Sequence, residues 1–188
     1  MGCDIHDIVQ VRDEQGKWNT VIDNFLDGRH YNLFAVIGDV RNYYDIKPIA
    51  SYRGIPWDVE WDEDSYQFGD HSQSWVTLEE LLNYDWNQTV EVNCVISYSD
   101  FLKWDKKSYP EFSASASIAG TEQDGTFRKI TTVDMRSMPI EMDPNLSYYV
   151  RIYFTRTVRQ LAWIPNKMAK LVSLGEPDEV RWVFGFDS

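Results

Sequence analysis

The chain has 188 residues, of which 18 are Lys or Arg and 30 are Asp or Glu, so its formal net charge is −12. That length suits one domain with a sizeable core, and 43% hydrophobic residues exclude a wholly disordered chain. No apolar run approaches the roughly 18 residues that span a bilayer, and no signal peptide is visible. The sequence therefore predicts a cytoplasmic protein without a membrane segment.

The first third of the chain predicts a β-hairpin followed by a short helix. Residues 4–12 alternate apolar and polar side chains, residues 13–16 have the composition of a turn, and residues 17–22 return as a second strand. Residues 31–40 carry a helical stripe of Leu, Phe, Val and Ile. Residues 41–75 show no clear period, and so long a stretch without regular structure is more often functional than not.

Helix boundary signals recur in the rest of the chain. A capping box at Thr77 predicts a helix over 77–84, with its loop-to-helix junction at 70–75. A second, short helix is predicted to end at Lys103. Pro165 in a first helical turn marks the start of a third helix.

The remaining apolar segments predict strands and an α+β fold. Residues 89–98 favour a strand, with a helix as the alternative, and residues 149–155 and 180–186 are strands. Residues 108–147 are rich in Ser, Gly and Pro, which predicts an inserted excursion with one strand at 127–133. We expect a single domain over 1–188, with a mainly antiparallel sheet, an N-terminal hairpin, a C-terminal strand and a few short helices.

The charge is distributed unevenly along the chain. Residues 1–127 have a net charge of −14, whereas residues 128–170 have a net charge of +5. A protein this acidic repels long nucleic acid unless its positive residues gather in one groove. The densest acidic run is most often a solvated surface, and its functional alternatives are a cation site or mimicry of a nucleic-acid backbone. The run contains Asp58, Glu60, Asp62, Glu63 and Asp64.

Two histidines with neighbouring carboxylates are the strongest candidates for chemistry. Asp4 and His6 project to the same face of the first predicted strand, and Asp70 precedes His71 in the sequence. These four residues predict either an acid–base pair of histidines or the ligands of one divalent metal ion. The alternative for each histidine is an ordinary structural or surface residue. Neither the usual dinucleotide-binding motif nor a P-loop, nucleophile elbow or zincin motif is present.

Five segments of the chain are distinctive: MGCDIH, RHYNLFAVIGDVRN (29–42), PIASYRGIP (48–56), GDHSQSWVTLEEL (69–81) and VRWVFGFDS (180–188). Together they resemble a family of small phage and bacterial proteins that open with a G-C-D-I-H motif. The resemblance covers the first 85 residues and the last nine, whereas residues 86–147 are peculiar to this chain. No activity is established for the family, so the resemblance implies candidate positions and no mechanism. Those positions are Cys3, Asp4, His6, Arg29, Arg41, Arg53, Asp70, His71, Ser72 and Ser74.

The phage setting implied by the resemblance makes counter-defence a reasonable role, in the cytoplasm of an infected host. Many defence systems signal through small anionic nucleotides. Arg29, Arg41 and Arg53 could grip phosphate groups through bidentate hydrogen bonds, assisted by Ser72 and Ser74. Some of the 8 Trp and 11 Tyr residues could stack on bases. The alternative is that the arginines form structural ion pairs and the aromatic residues pack in the core.

Three function classes remain open at this point. The first is a phosphodiesterase-like hydrolase acting on a small nucleotide by His/Asp acid–base or metal-assisted chemistry. The second is a non-catalytic protein that sequesters a nucleotide signal. The third is an acidic inhibitor that mimics nucleic acid. The first class is favoured, and the sequence leaves homo-oligomerisation open.

Overall fold

The computed structural model describes residues 2–59, 68–110, 121–123, 126–141, 143 and 146–188. By its internal contacts the chain divides into two compact units. Unit 1 contains residues 1–88 and 157–188, and unit 2 contains residues 89–156. Within the described ranges no helix has both the length and the apolar character needed to cross a membrane.

The described residues form eight strands and five α-helices, which confirms the predicted α+β class. The strands are β1 (Asp4–Arg12), β2 (Trp18–Asp23), β3 (His71–Thr77), β4 (Thr89–Ser97), β5 (Thr121–Gln123), β6 (Thr126–Asp134), β7 (Leu146–Thr157) and β8 (Val180–Asp187). The helices are α1 (Tyr31–Gly38), α2 (Leu78–Asn83), α3 (Tyr98–Lys103), α4 (Val158–Ala162) and α5 (Pro165–Val172).

Unit 1 is built on an antiparallel sheet with the strand order β2-β1-β8-β3. The predicted N-terminal hairpin is β1–β2, and the predicted C-terminal strand is β8, which pairs with β1 along its whole length. The first and last strands of the chain are therefore neighbours. This pairing brings the two ends of the sequence into one part of the fold.

Strand β8 is buried along nearly its entire length because both faces of the sheet are covered. On one face, Phe186 contacts Phe34 of α1, with ring centroids 5.0 Å apart. On the other face, Ile8 and Val183 pack with Phe68 and with a partly buried Ile55. A strand covered on both sides has no reason to alternate polar and apolar residues, which accounts for its apolar sequence.

Two elements of unit 1 differ from the prediction. The segment 41–75 was expected to lack regular structure, but His71–Thr77 is strand β3. Its register shifts between His71 and Ser74, and Ser72 has a left-handed φ of 53°. A bulge interrupts the two-residue alternation on which strand recognition depends, and the polar residues of an edge strand weaken it further. Helix α4, of five residues, was also not predicted.

Unit 2 is built on a second sheet with the order β4-β7-β6-β5, in which β6 and β7 run parallel. The segment 89–98 is a strand rather than the alternative helix, and β6 confirms the strand predicted at 127–133. The stretch that separates the two segments of unit 1 is residues 89–156. The predicted excursion at 108–147 lies inside it and includes residues outside the described ranges. Of the acidic run, Glu60, Asp62, Glu63 and Asp64 also lie outside them.

Candidate functional site

The G-C-D-I-H segment forms a cluster with the residues that precede and begin α1. Arg29 donates to Asp4 through Nε and Nη2, at 2.7 and 2.9 Å from the two carboxylate oxygens. This double hydrogen bond lowers the pKa of Asp4. A Cβ at Gly2 would overlap the Arg29 guanidinium, and the N–H of the buried Cys3 donates to the Tyr31 hydroxyl. The G-C-D-I-H segment thus has a structural role at these positions.

His6 pairs with a carboxylate that the sequence analysis did not consider. Its Nε2 lies 2.9 Å from Oδ2 of Asp187, and both side chains are partly exposed. A carboxylate only accepts hydrogen bonds, so Nε2 of His6 carries a proton and Nδ1 of the neutral ring keeps a lone pair. The register explains the partner, because Asp4 lies opposite Asp187 and His6 lies on the same face of β1.

His71 lies beside the bulge of β3. Its Nδ1 is 2.9 Å from the hydroxyl of Ser72, and its ring stacks on Phe186 with centroids 6.1 Å apart. The Nε2 atom of His71 is buried and has no hydrogen-bond partner among the residues that the structure describes. This histidine is held mainly by packing against the side of the sheet that α1 covers.

The structure does not bring His6 and His71 into one cleft. Opposed residues of antiparallel strands point to the same face, and successive residues alternate. His6 lies opposite Gly185 and His71 opposite Phe186, so the two imidazoles lie on opposite faces of the sheet. Asp70 is exposed, and its N–H donates to the Phe186 carbonyl at 2.8 Å. The predicted convergence of these side chains is therefore not supported by their placement.

Arg53 and Ser74 hold a loop onto the sheet. Both terminal nitrogens of Arg53 donate to Glu80, at 2.7 and 2.9 Å, and its guanidinium lies 5.0 Å from the centre of the Trp75 ring. The hydroxyl of the fully buried Ser74 accepts from the backbone N–H of Arg53 at 3.1 Å. Glu80 also completes the capping box of α2. Arg53 therefore forms a structural ion pair, which was the alternative to phosphate binding in the sequence analysis.

Arg41 is tied to the N-terminal segment. Its guanidinium donates to the Gly2 carbonyl at 3.4 Å, and interactions with Tyr43 and Cys3 raise the pKa of Arg41. Burial raises the pKa of the Cys3 thiol, which keeps it protonated at neutral pH. Arg29, Arg41 and Arg53 are thus all engaged by protein groups.

The possible metal site was predicted from Asp4, His6, Asp70 and His71. In the part of the chain that the structure describes, no group of three or more His, Cys, Asp or Glu side chains is arranged to hold a metal ion. The four residues lie on both faces of the sheet and do not form such a group.

A pocket of about 400 Å³ opens at the start of α1, and we call it the α1 pocket. One wall is formed by residues 29–33 and the other by residues 161–164. Trp163, whose ring packs edge-to-face against Trp86, belongs to the second wall. Another cavity, of about 500 Å³ in unit 2, is lined by residues that run up to Pro110, where the described range ends.

The α1 pocket combines hydrogen-bond donors with positive charge. The N–H groups of Leu33 and Phe34 donate to the His30 carbonyl, which leaves those of Tyr31 and Asn32 without an acceptor inside the helix. The N-cap residue of α1 makes no side-chain cap, and its first turn contains no acidic residue. Nε2 of His30 lies 2.9 Å from the Asp27 carbonyl, so Nε2 carries the proton and Nδ1 is an acceptor when the ring is neutral. Arg29 belongs to the pocket lining, and the Arg159 guanidinium lies 4.4 Å from the centre of the Trp163 ring.

Sequence analysis did not single out the second wall of this pocket. Helix α4 starts with a capping box between Thr157 and Gln160, a pattern of the kind that was recognised at Thr77. That signal could have located α4, and with it Trp163 at the end of the helix. Nothing local indicates that α4 packs beside α1, because the two are separated by more than a hundred residues.

No protein-family model, curated protein or solved structure matches this chain. The resemblance to proteins that open with G-C-D-I-H therefore stays a prediction.

Proposed function

We propose that the protein binds a small nucleotide in the α1 pocket and sequesters it. The observation that carries this proposal is the lining of the pocket, which includes both an aromatic residue, Trp163, and the first residues of a helix that has no side-chain cap. An aromatic face suits a base, and free helix N–H groups suit a phosphate. The phage setting implied by the sequence resemblance makes removal of a host nucleotide signal the biological role that we propose.

The size of the pocket favours a mononucleotide. Small-molecule sites span roughly 300–1,000 Å³, so a volume of about 400 Å³ lies near the lower end. A cyclic dinucleotide has about twice the bulk of a mononucleotide and would extend beyond these walls. Asn32 adds a side-chain amide beside the helix start, where it lies 3.5 Å from the Leu161 carbonyl.

Sequestration is favoured over cleavage because the predicted catalytic pair is divided between two faces of the sheet. His30 lies at the pocket, whereas neither His6 nor His71 lines it. General acid–base catalysis needs its groups within hydrogen-bond reach of one substrate. Hydrolysis of the bound nucleotide is therefore an outcome that the experiment must exclude.

Calorimetric titration with AMP, 3′,5′-cyclic AMP and cyclic di-AMP tests the binding. We expect at least one mononucleotide to bind more tightly than the cyclic dinucleotide. Leu161→Trp fills the pocket without removing a core side chain and should abolish binding. Trp163→Ala should weaken it by about 10-fold, as expected for loss of one stacked base. The matched control is Trp57→Ala, because Trp57 is 96% exposed and does not line the pocket.

Chromatography of the nucleotide separates sequestration from cleavage. After incubation with excess ligand, with and without Mg²⁺ or Mn²⁺, the heat-released nucleotide should be chemically unchanged. Product formation that His30→Ala abolishes would identify an enzyme instead. Unaltered binding by the Leu161→Trp protein, or no binding of any nucleotide, would refute the proposal.

A further inference from the structure

The solvent face of the unit 2 sheet carries aromatic and cationic side chains along its β7 strand. Tyr149, Arg151 and Tyr153 alternate along β7 with the buried Val150 and Ile152. The three therefore lie on the face opposite the core. Arg151 is exposed and the two tyrosines are partly exposed.

A second arginine extends this surface. The guanidinium of Arg136 lies 3.7 Å from the centre of the Tyr153 ring and is held there by Glu91 at 2.5 Å. The Tyr153 hydroxyl donates to Asp134 at 2.6 Å. The Tyr153 ring is thus held at its hydroxyl by Asp134 and on one face by Arg136. Because the side chain is already ordered, it loses little conformational entropy when it contacts a ligand.

The charge of unit 2 differs sharply from that of unit 1. Residues 89–156 contain eight basic and nine acidic side chains, a net charge of −1, whereas unit 1 has a net charge of −11. Among the described residues, Arg151 makes no ion pair. The repulsion of nucleic acid expected from the overall charge of −12 arises almost wholly from unit 1.

We propose that this face of unit 2 binds unpaired bases of a single-stranded nucleic acid. Tyr149 and Tyr153 are four residues apart, which places their rings roughly 13 Å apart along the strand. That spacing suits two bases separated by one nucleotide, with Arg151 between them to contact phosphate. A sheet that presents aromatic side chains on a central strand is a general solution for stacking single-stranded bases. The proposal is independent of the α1 pocket.

Fluorescence anisotropy with labelled twelve-nucleotide oligothymidylate and oligouridylate tests the proposal at about 50 mM salt. We expect saturable binding, with affinity for the single strands well above that for a duplex of the same length, whose bases are stacked. Tyr149→Ala and Tyr153→Ala should each weaken binding by at least about 5-fold. Tyr153→Phe retains the ring and should bind as the wild type does, which separates stacking from the hydrogen bond to Asp134.

Three controls make the result decisive. Trp57→Ala removes an exposed aromatic residue of unit 1 and should leave oligonucleotide binding unchanged. Leu161→Trp should also leave it unchanged, because binding lost with that variant would place the oligonucleotide in the α1 pocket. Arg151→Gln should make the slope of log affinity against log salt concentration shallower by the amount that corresponds to about one phosphate contact. No binding at about 0.1 mM protein, equal affinity for duplex, or full binding by both tyrosine-to-alanine variants would overturn the proposal.

Discussion

Replacing Asp7 with Asn should remove a large pH dependence of the protein's stability. Asp7 lies on β1, is 3% exposed, and accepts hydrogen bonds from the Trp182 indole at 2.6 Å and the Leu26 N–H at 3.1 Å. Burial raises the pKa of Asp7 to about 6 from 3.8, although these hydrogen bonds and the charge of Lys167 oppose the rise. The group is therefore more easily protonated in the folded state than in the unfolded state.

The sign and size of the effect follow from that difference. The stabilisation linked to protonated Asp7 is fully present below pH 3.8 and is lost as the pH rises through about 6. The full difference between the two pKa values corresponds to about 3 kcal/mol of unfolding free energy. About 2 kcal/mol of this change falls between pH 4 and pH 7, because part of it occurs below pH 4. Asp7→Asn cannot ionise and keeps one oxygen that accepts from the Trp182 indole. The stability of this variant therefore does not vary with pH through residue 7.

Urea unfolding at several pH values between 4 and 7 measures the effect. We expect the unfolding free energy of the wild type, minus that of Asp7→Asn, to fall by about 2 kcal/mol across this range. Other titrating groups are common to both proteins and cancel in the difference. Gly175→Ala changes no ionisable group, so it serves as the control and should give a nearly constant difference. Parallel curves for wild type and Asp7→Asn would refute the reasoning.

Three further substitutions test particular contacts. A Cβ at residue 185 would overlap the Phe68 carbonyl oxygen, so Gly185→Ala should lower the unfolding free energy by about 3 kcal/mol. A Cβ at Gly175 would make only ordinary contacts, so Gly175→Ala should change the unfolding free energy by less than about 1 kcal/mol. Equal effects of the two substitutions in denaturant titrations would contradict this reasoning. Gly2→Ala should displace the Arg29 guanidinium from Asp4, and the pKa of Asp4, measured by NMR titration, should rise towards the ordinary value of an aspartate. Thr77→Ala removes the cap of α2 and should cost about 1 kcal/mol in thermal unfolding, and no change would exclude that cap as a stabilising contact.

Local patterns in the sequence were enough to predict most elements of unit 1. Alternation over residues 4–12 predicted β1, and the capping box at Thr77 predicted α2. Pro165 predicted the start of α5. Each of these signals depends on neighbours within a few residues, so it is visible without knowledge of the fold.

The candidate site depended on contacts that no local pattern contains. His6 pairs with Asp187, which is 181 positions away, because β1 and β8 are neighbours in the sheet. The same register places His71 on the opposite face, which separates two residues that composition alone had grouped together.

The sequence by itself therefore determined where strands and helices form and which residue types are available for chemistry. Only the tertiary structure decided which of them meet. Arg53, a candidate for phosphate, is held by Glu80, whereas Trp163 lines a pocket although no motif marked it. The physical reason is that periodicity and capping act over one or two turns, whereas strand order, register and the packing of α4 beside α1 depend on which apolar surfaces the whole chain can bury together.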